Sequence, residues 1–178
     1  MTAGTQLRSR QKSSHCKPII TDMNITDLLT RDRILCCPEI GSKKRLFERL
    51  GELLAGDSGV LSQNDIFDAL INREKLGSTG LGKGVAIPHG RIAALEKPLC
   101  AIIKLAEPID FDATDNQPVD LVFALLVPEE STEEHLQVLS TIAEVFSNTG
   151  VCAALRQCET ESCIYSQLSE WETQRIPA

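Results

Sequence analysis

Residues 73–91 read REKLGSTGLGKGVAIPHGR. Five of the chain's 11 glycines (Gly77, Gly80, Gly82, Gly84 and Gly90) fall within this stretch, which closes on a histidine held between a proline and a glycine. Glycine adopts left-handed and close-approach backbone conformations that side chains forbid, so the run reads as a loop of special shape. It starts where a helix should end, with Arg73 and Lys75 in a last turn and Gly77 as the stop. It then enters Val85-Ala86-Ile87, a short apolar run suited to a buried strand, which delivers His89 to a surface. Helix, glycine loop and strand in that order point to a mixed α/β fold, and loops this costly to order commonly carry function.

Upstream, Ser62 followed by Asp65 opens a helix with Ile66, Phe67, Leu70 and Ile71 turned inward. Before it, Ser42 caps a helix whose Leu46, Phe47, Leu50, Leu53 and Leu54 form one apolar face, and Gly56 ends it. Arg33–Cys37 reads as a strand closed by Pro38, preceded by a short apolar turn at Ile25–Leu29. Downstream, Leu99–Leu105 and Val119–Val127 read as strands, the second nearly all apolar and therefore central, with Pro108–Phe111 as a short edge piece. Ser131 with Glu134 forms a capping box for a long helix in which His135, Leu139, Ile142 and Phe146 share a face. Two more helices follow, around Val151–Arg156 and Glu161–Trp171. Helices alternating with strands imply a sheet covered on both sides.

With 178 residues, 42% of them hydrophobic and 24% charged, the chain has the make-up of one globular domain. The expected boundaries are a disordered tail at 1–22, a single domain at 23–172 and a short tail at 173–178. The first tail, MTAGTQLRSRQKSSHCKPIITD, is basic, polar and aperiodic, and its His15 has no assigned role. A formal net charge of -7 argues against nucleic acid as a partner. No apolar run approaches the roughly 20 residues that span a bilayer, and no signal-peptide core is present, so a cytoplasmic protein without membrane insertion is expected. The seven cysteines (Cys16, Cys36, Cys37, Cys100, Cys152, Cys158 and Cys163) contain no CxxC pair, and their odd number favours reduced, mostly buried thiols.

Two readings of the glycine stretch fail. Gly77–Gly84 matches the phosphate-cradling G-x-x-x-x-G-K-[ST] pattern except at its last position, where Gly84 replaces the hydroxyl that would hold magnesium. Its context is also reversed, because that loop leaves a strand and enters a helix. A metal site built on His89 and His135 lacks a third ligand at a recognisable spacing. What remains is a histidine beside backbone N–H groups, the hydroxyls of Ser78 and Thr79, and the cations of Arg73, Lys83 and Arg91. These groups suit a doubly negative phosphoryl group. A neutral imidazole attacks phosphorus without a separate strong base, and the Arg73 fork holds two oxygens at once.

REKLGSTGLGKGVAIPHG closely resembles the active-site signature of the mannitol/fructose-type enzyme IIA domains of the bacterial phosphoenolpyruvate-dependent sugar phosphotransferase system. FDATDNQPVDLVFALLVPEESTEEHLQVLSTIA extends the resemblance, which covers roughly 23–171 and is strongest to the nitrogen-regulatory branch. It implies an α/β/α sandwich around a mixed sheet. It also implies that His89 receives a phosphoryl group from a histidine-containing phosphocarrier protein, that His135 is a second active-site histidine, and that Arg73 lies near the phosphoryl group. The phosphoryl-binding set expected around them is Ser78, Thr79, Lys83, Gly90 and Arg91, with no cofactor and no metal. No IIB-like or membrane domain lies within the 178 residues, so signalling through regulatory target proteins is implied. Two alternatives stay open: a binding module that acts independently of phosphorylation, and a IIA component of fructose or mannitol transport.

Overall fold

The computed structural model describes residues 24–56, 60–130 and 133–175, without the side chains of 134 and 135. The expected tail at 1–22 and the Ser131 cap lie outside the described residues. The chain passes through α1 (Ile25–Leu28), β1 (Ile34–Cys36), α2 (Lys43–Ala55), α3 (Gln63–Glu74), β2 (Gly80–Gly82), β3 (Val85–Ala86) and β4 (His89–Ile92). It continues through β5 (Leu99–Ile109), β6 (Val119–Pro128), α4 (Glu133–Ser147), α5 (Thr149–Gln157) and α6 (Glu161–Arg175). The strands form a mixed sheet in the order β1-β5-β6-β3-β2, with β4 also on β6. The β1–β5, β3–β6 and β4–β6 pairs are parallel, while β5–β6 and β2–β3 are antiparallel.

Side-chain alternation along the strands divides the core into two layers. Ala101, Ile103, Val122, Ala124 and Leu126 pack with Leu46, Phe47 and Leu50 of α2 and Ile66 and Leu70 of α3. Ile102, Leu121, Phe123, Leu125 and Val127 face the other way, onto Val138, Ile142 and Val145 of α4, Leu155 of α5, and Ile164 and Leu168 of α6. The expected α/β/α sandwich is therefore present, and β6 is its apolar centre, buried on both faces from Val119 to Val127 except at Asp120. Ser42 and Ser62 cap α2 and α3 by accepting from the Arg45 and Asp65 amides at 3.3 and 3.1 Å, each contributing about 1 kcal/mol.

Three expectations are corrected. The Pro108–Phe111 edge piece is not separate: β5 runs unbroken to Ile109, with irregular register between Lys104 and Ile109. His89 does not merely follow the Val85–Ile87 run to a surface: it begins a second strand, pairing in register with Leu125 of β6. Cys158 and Cys163 are not free thiols: the turn between α5 and α6 brings their Cα atoms to 5.5 Å and a disulfide joins them. Cys36, Cys37, Cys100 and Cys152 are free, and burial pushes the Cys36 thiol up to about 11. Among the described residues no single helix is long and apolar enough to cross a membrane.

Candidate active site

β3 and β4 lie end to end on one side of β6, with Val85 opposite Leu121 and His89 opposite Leu125. Helix α3 crosses beside them, and Gly90 sets how close it comes. A Cβ at Gly90 would sit 3.0–3.1 Å from the carbonyl carbon, Cβ and oxygen of Ala69, closer than ordinary van der Waals contact. Arg73 is one helical turn beyond Ala69, so this close approach carries its guanidinium to His89. Replacing Gly90 by Ala should push α3 outward by a few tenths of an ångström and destabilise the fold by about 1–3 kcal/mol. Chemical denaturation reads the effect, and unchanged stability would show that the contact yields freely.

Arg73 Nε donates to His89 Nε2 at 3.0 Å. A guanidinium has no acceptor to offer, so Nε2 must carry the lone pair and Nδ1 the proton. Nδ1 accordingly donates to the Ile87 carbonyl at 2.9 Å. Two bonds thus fix one neutral tautomer and its ring plane. Arg73 is itself held by an Nη1 bond to the Gly77 carbonyl at 3.0 Å.

The ring is half-buried, and that desolvation pulls its pKa below the usual 6.5. The Ile87 carbonyl opposes the shift, Arg73 adds to it and Glu74 opposes it. A lowered folded pKa means that the native state resists protonation, so the neutral ring persists below pH 6.5 and is lost only as pH falls through the lowered value. Following the His89 ring resonances by NMR should give a midpoint under 6.5. A midpoint at or above 6.5 would contradict the desolvated environment.

The loop is fastened from beneath by Glu74, a buried carboxylate absent from the sequence reading. Its Oε2 accepts from the Thr79 amide at 3.0 Å and the Thr79 hydroxyl at 2.5 Å, and its Oε1 lies 2.7 Å from Lys43 Nζ. Lys43 also donates to the Phe111 carbonyl at 2.8 Å. A buried carboxylate with two donors on one oxygen and an ammonium against the other is a rigid anchor, and it fixes the backbone between Arg73 and β2.

The other expected residues divide. Ser78 and Thr79 line the same recess as His89 and Arg73, about 240 Å³ in volume and closed on one side by Leu139 and Ala143 of α4. Their hydroxyl protons are nevertheless committed, to Phe111 O at 3.1 Å and to Glu74. Arg91 and Gly90 line a second recess of about 390 Å³ that also meets Arg73 and His89. Arg91 shares a strand face with His89 by alternation and is exposed. Lys83 is not brought to the ring. It sits at φ 55 in the β2–β3 turn, at the far end of β3, roughly 13 Å or more along the sheet from His89. Its amide donates to Asp115 at 2.7 Å and its carbonyl accepts from Arg156 at 2.8 Å. Gly84 follows at φ 80, and a Cβ there would meet Arg156 Nη2 at 2.5 Å, so the turn demands glycine. His135 is in the first turn of α4, four residues before Leu139, and its side chain lies outside the described residues.

Among the described residues no cluster of three or more His, Cys, Asp or Glu could hold a metal. Among the described residues, the site is a positioned imidazole with a guanidinium on its unprotonated nitrogen.

The family described as "Phosphoenolpyruvate-dependent sugar phosphotransferase system, EIIA 2" matches residues 27–171. The chain belongs to this EIIA 2 family. Among EIIA 2 relatives, a nitrogen regulatory protein of Pseudomonas aeruginosa is 43% identical over 143 residues, covering 80% of this chain and 93% of that protein. The crystal structure of the nitrogen regulatory protein IIA-Ntr from Neisseria meningitidis superposes with a TM-score of 0.77 at 47% identity, over 81% of this chain and 98% of that one. The mannitol IIA of Escherichia coli shares the EIIA 2 fold, with a TM-score of 0.66 at 22% identity over 79% and 98% of the two chains. The EIIA 2 match encloses both Arg73 and His89.

Proposed function

We propose that this chain is a phosphoryl carrier that receives a phosphoryl group on Nε2 of His89 from the phosphohistidine of a histidine-containing phosphocarrier protein. The observation that supports it most is the pair of bonds that leaves Nε2 unprotonated while Arg73 rests on it. In the transfer, the Arg73 N–H leaves Nε2, whose lone pair then attacks phosphorus in line. The bond from phosphorus to the donor imidazole breaks, and its electron pair stays on that donor nitrogen. Nδ1–H of His89 keeps its bond to Ile87 and stabilises the positive charge that forms on the ring. The displaced guanidinium then meets the phosphoryl oxygens, where its charge and fork geometry are worth more than on the neutral ring. Ser78, Thr79, Gly90 and Arg91 border the phosphoryl position, with Arg91 as a second cation. His135 is the second histidine of the site, and its replacement by Gln slows transfer while leaving the fold intact.

Exposed Leu76 and Leu81 border the two recesses, and exposed Leu136 lies in the first turn of α4. Apolar side chains exposed around a reactive group suit a protein donor more than a small sugar phosphate. The name carried by the P. aeruginosa and N. meningitidis relatives supports a regulatory output, in which partner proteins distinguish the phosphorylated from the unmodified form. We read the expected unit of 23–172 as one folded domain, extended by α6 to Arg175, and the setting as cytoplasmic on the same family grounds.

The test is intact-mass measurement after incubation with phosphoenolpyruvate, the first enzyme of the system and the phosphocarrier. One acid-labile phosphoryl increment is expected. No increment, or one stable to acid, would overturn the proposal.

A further inference from the structure

Four cysteines meet where β1, α5 and α6 converge, far from the histidine site. Cys158 caps the C-terminus of α5 and is 1% exposed, and Cys163 is the third residue of α6 and only partly buried. They are bridged across a separation of five residues. The Cys158 carbonyl accepts from Lys104 Nζ and, at 3.5 Å, from Cys36 Sγ. Cys36 Sγ lies 3.6 Å from Cys37 Sγ, and Cys37 is exposed. Glu161, at the start of α6, accepts from the Cys36 amide at 3.3 Å. The bridge therefore closes the turn that grips the edge strand of the sheet.

We propose that Cys158–Cys163 is a reversible redox-modification site, opened and closed by thiol–disulfide exchange with a low-molecular-weight thiol through Cys163. Accessibility decides which sulfur is attacked, because Cys163 is reachable and Cys158 is sealed beneath the turn. The external thiolate attacks Cys163 Sγ. The Sγ–Sγ bond breaks, its electron pair leaves on Cys158 Sγ, and that sulfur takes a proton. A second external thiolate attacks the mixed disulfide, which frees Cys163 as a thiolate and releases the external disulfide. Two electrons have then passed from two thiols to the bridge. In the reverse direction Cys163 is the first nucleophile, since it is the accessible one of the two sulfurs. Cys163 forms the mixed disulfide, and Cys158 displaces the external thiol to restore the bridge.

The experiment poises the native chain in glutathione buffers of varied reduced-to-oxidised ratio, alkylates it after unfolding, and counts alkyl adducts on the peptides that carry Cys158 and Cys163 by mass. The bridge protects both sulfurs, so no alkyl adduct is expected on them in oxidised buffer and two in reduced buffer, interconverting in both directions, whatever exposed Cys37 takes up. Two alkyl adducts in oxidised buffer, or none in excess reduced glutathione, would overturn the proposal. A second arm uses single variants in oxidised glutathione. Cys158→Ser should accumulate a glutathione adduct on Cys163, while Cys163→Ser should leave Cys158 unmodified. Equal modification of Cys158 in the second variant would refute Cys163 as the point of exchange.

Discussion

His89→Ala is expected to abolish phosphoryl incorporation, taking the mass increment from one phosphoryl group to none. Under the carrier proposal its side chain supplies the attacking lone pair, and among the described residues of the recess no other side chain offers an equivalent one. Ser78 donates its hydroxyl proton to Phe111 O, a carbonyl and not a base, and Thr79 is buried with its hydroxyl tied to the Glu74 carboxylate, which the Thr79 amide and Lys43 already hold as an ion. The fold should survive, because the substitution removes two ring bonds at a half-buried position, to Ile87 O and from Arg73 Nε, about 1 kcal/mol each. A circular dichroism spectrum and melting profile close to wild type would accompany the loss. If the increment persists in His89→Ala, the acceptor lies elsewhere and the carrier proposal must move to another residue.

Arg73→Lys is expected to slow transfer by about 100- to 1000-fold while leaving the amount finally incorporated near one, a loss typical of removing a preorganised charge-stabilising donor. Lysine keeps the charge but offers a single ammonium on a flexible stem, which cannot bond Nε2 and the Gly77 carbonyl together or bracket two phosphoryl oxygens. Single-turnover transfer from the phosphorylated carrier protein measures the rate directly. A second readout separates chemistry from packing. Arg73 is among the causes that lower the His89 pKa, so Arg73→Ala should raise the ring's NMR midpoint toward 6.5. Wild-type rates in Arg73→Lys together with an unmoved midpoint in Arg73→Ala would remove Arg73 from the mechanism.

The histidine–arginine pair was legible in the sequence because its cues are local. A helix that ends at Gly77 and a strand that starts at Val85 leave few ways to join them, and both side chains fall at the junction. The sheet between two helical layers was legible too, since β6 is an unmistakable apolar run and α2 and α3 carry clear caps and faces. Contacts made by distant segments were hidden. Glu74 sits in a run of charged residues that reads as solvated, and only the return of β2 over α3 and the arrival of Lys43 bury it. Lys83 misled because proximity in the motif is not proximity in space: the two-residue turn at 83–84 points it away along β6. His89-Gly-Arg-Ile is too short and polar to read as a strand, and its pairing depends on an edge of β6 that β3 leaves open. The Cys158–Cys163 pairing depends on the tightness of one turn, which composition does not reveal.

Two bonds to one ring carry the whole reading: Arg73 Nε to Nε2 and Nδ1 to Ile87 O. They make Nε2 the only nitrogen of His89 able to attack. Nitrogen-15 and phosphorus-31 NMR of the phosphorylated chain distinguishes the two ring positions through the nitrogen that couples to phosphorus. Coupling at Nε2 of His89 is the expected result, and phosphorus on Nδ1, or on any other residue, would contradict it.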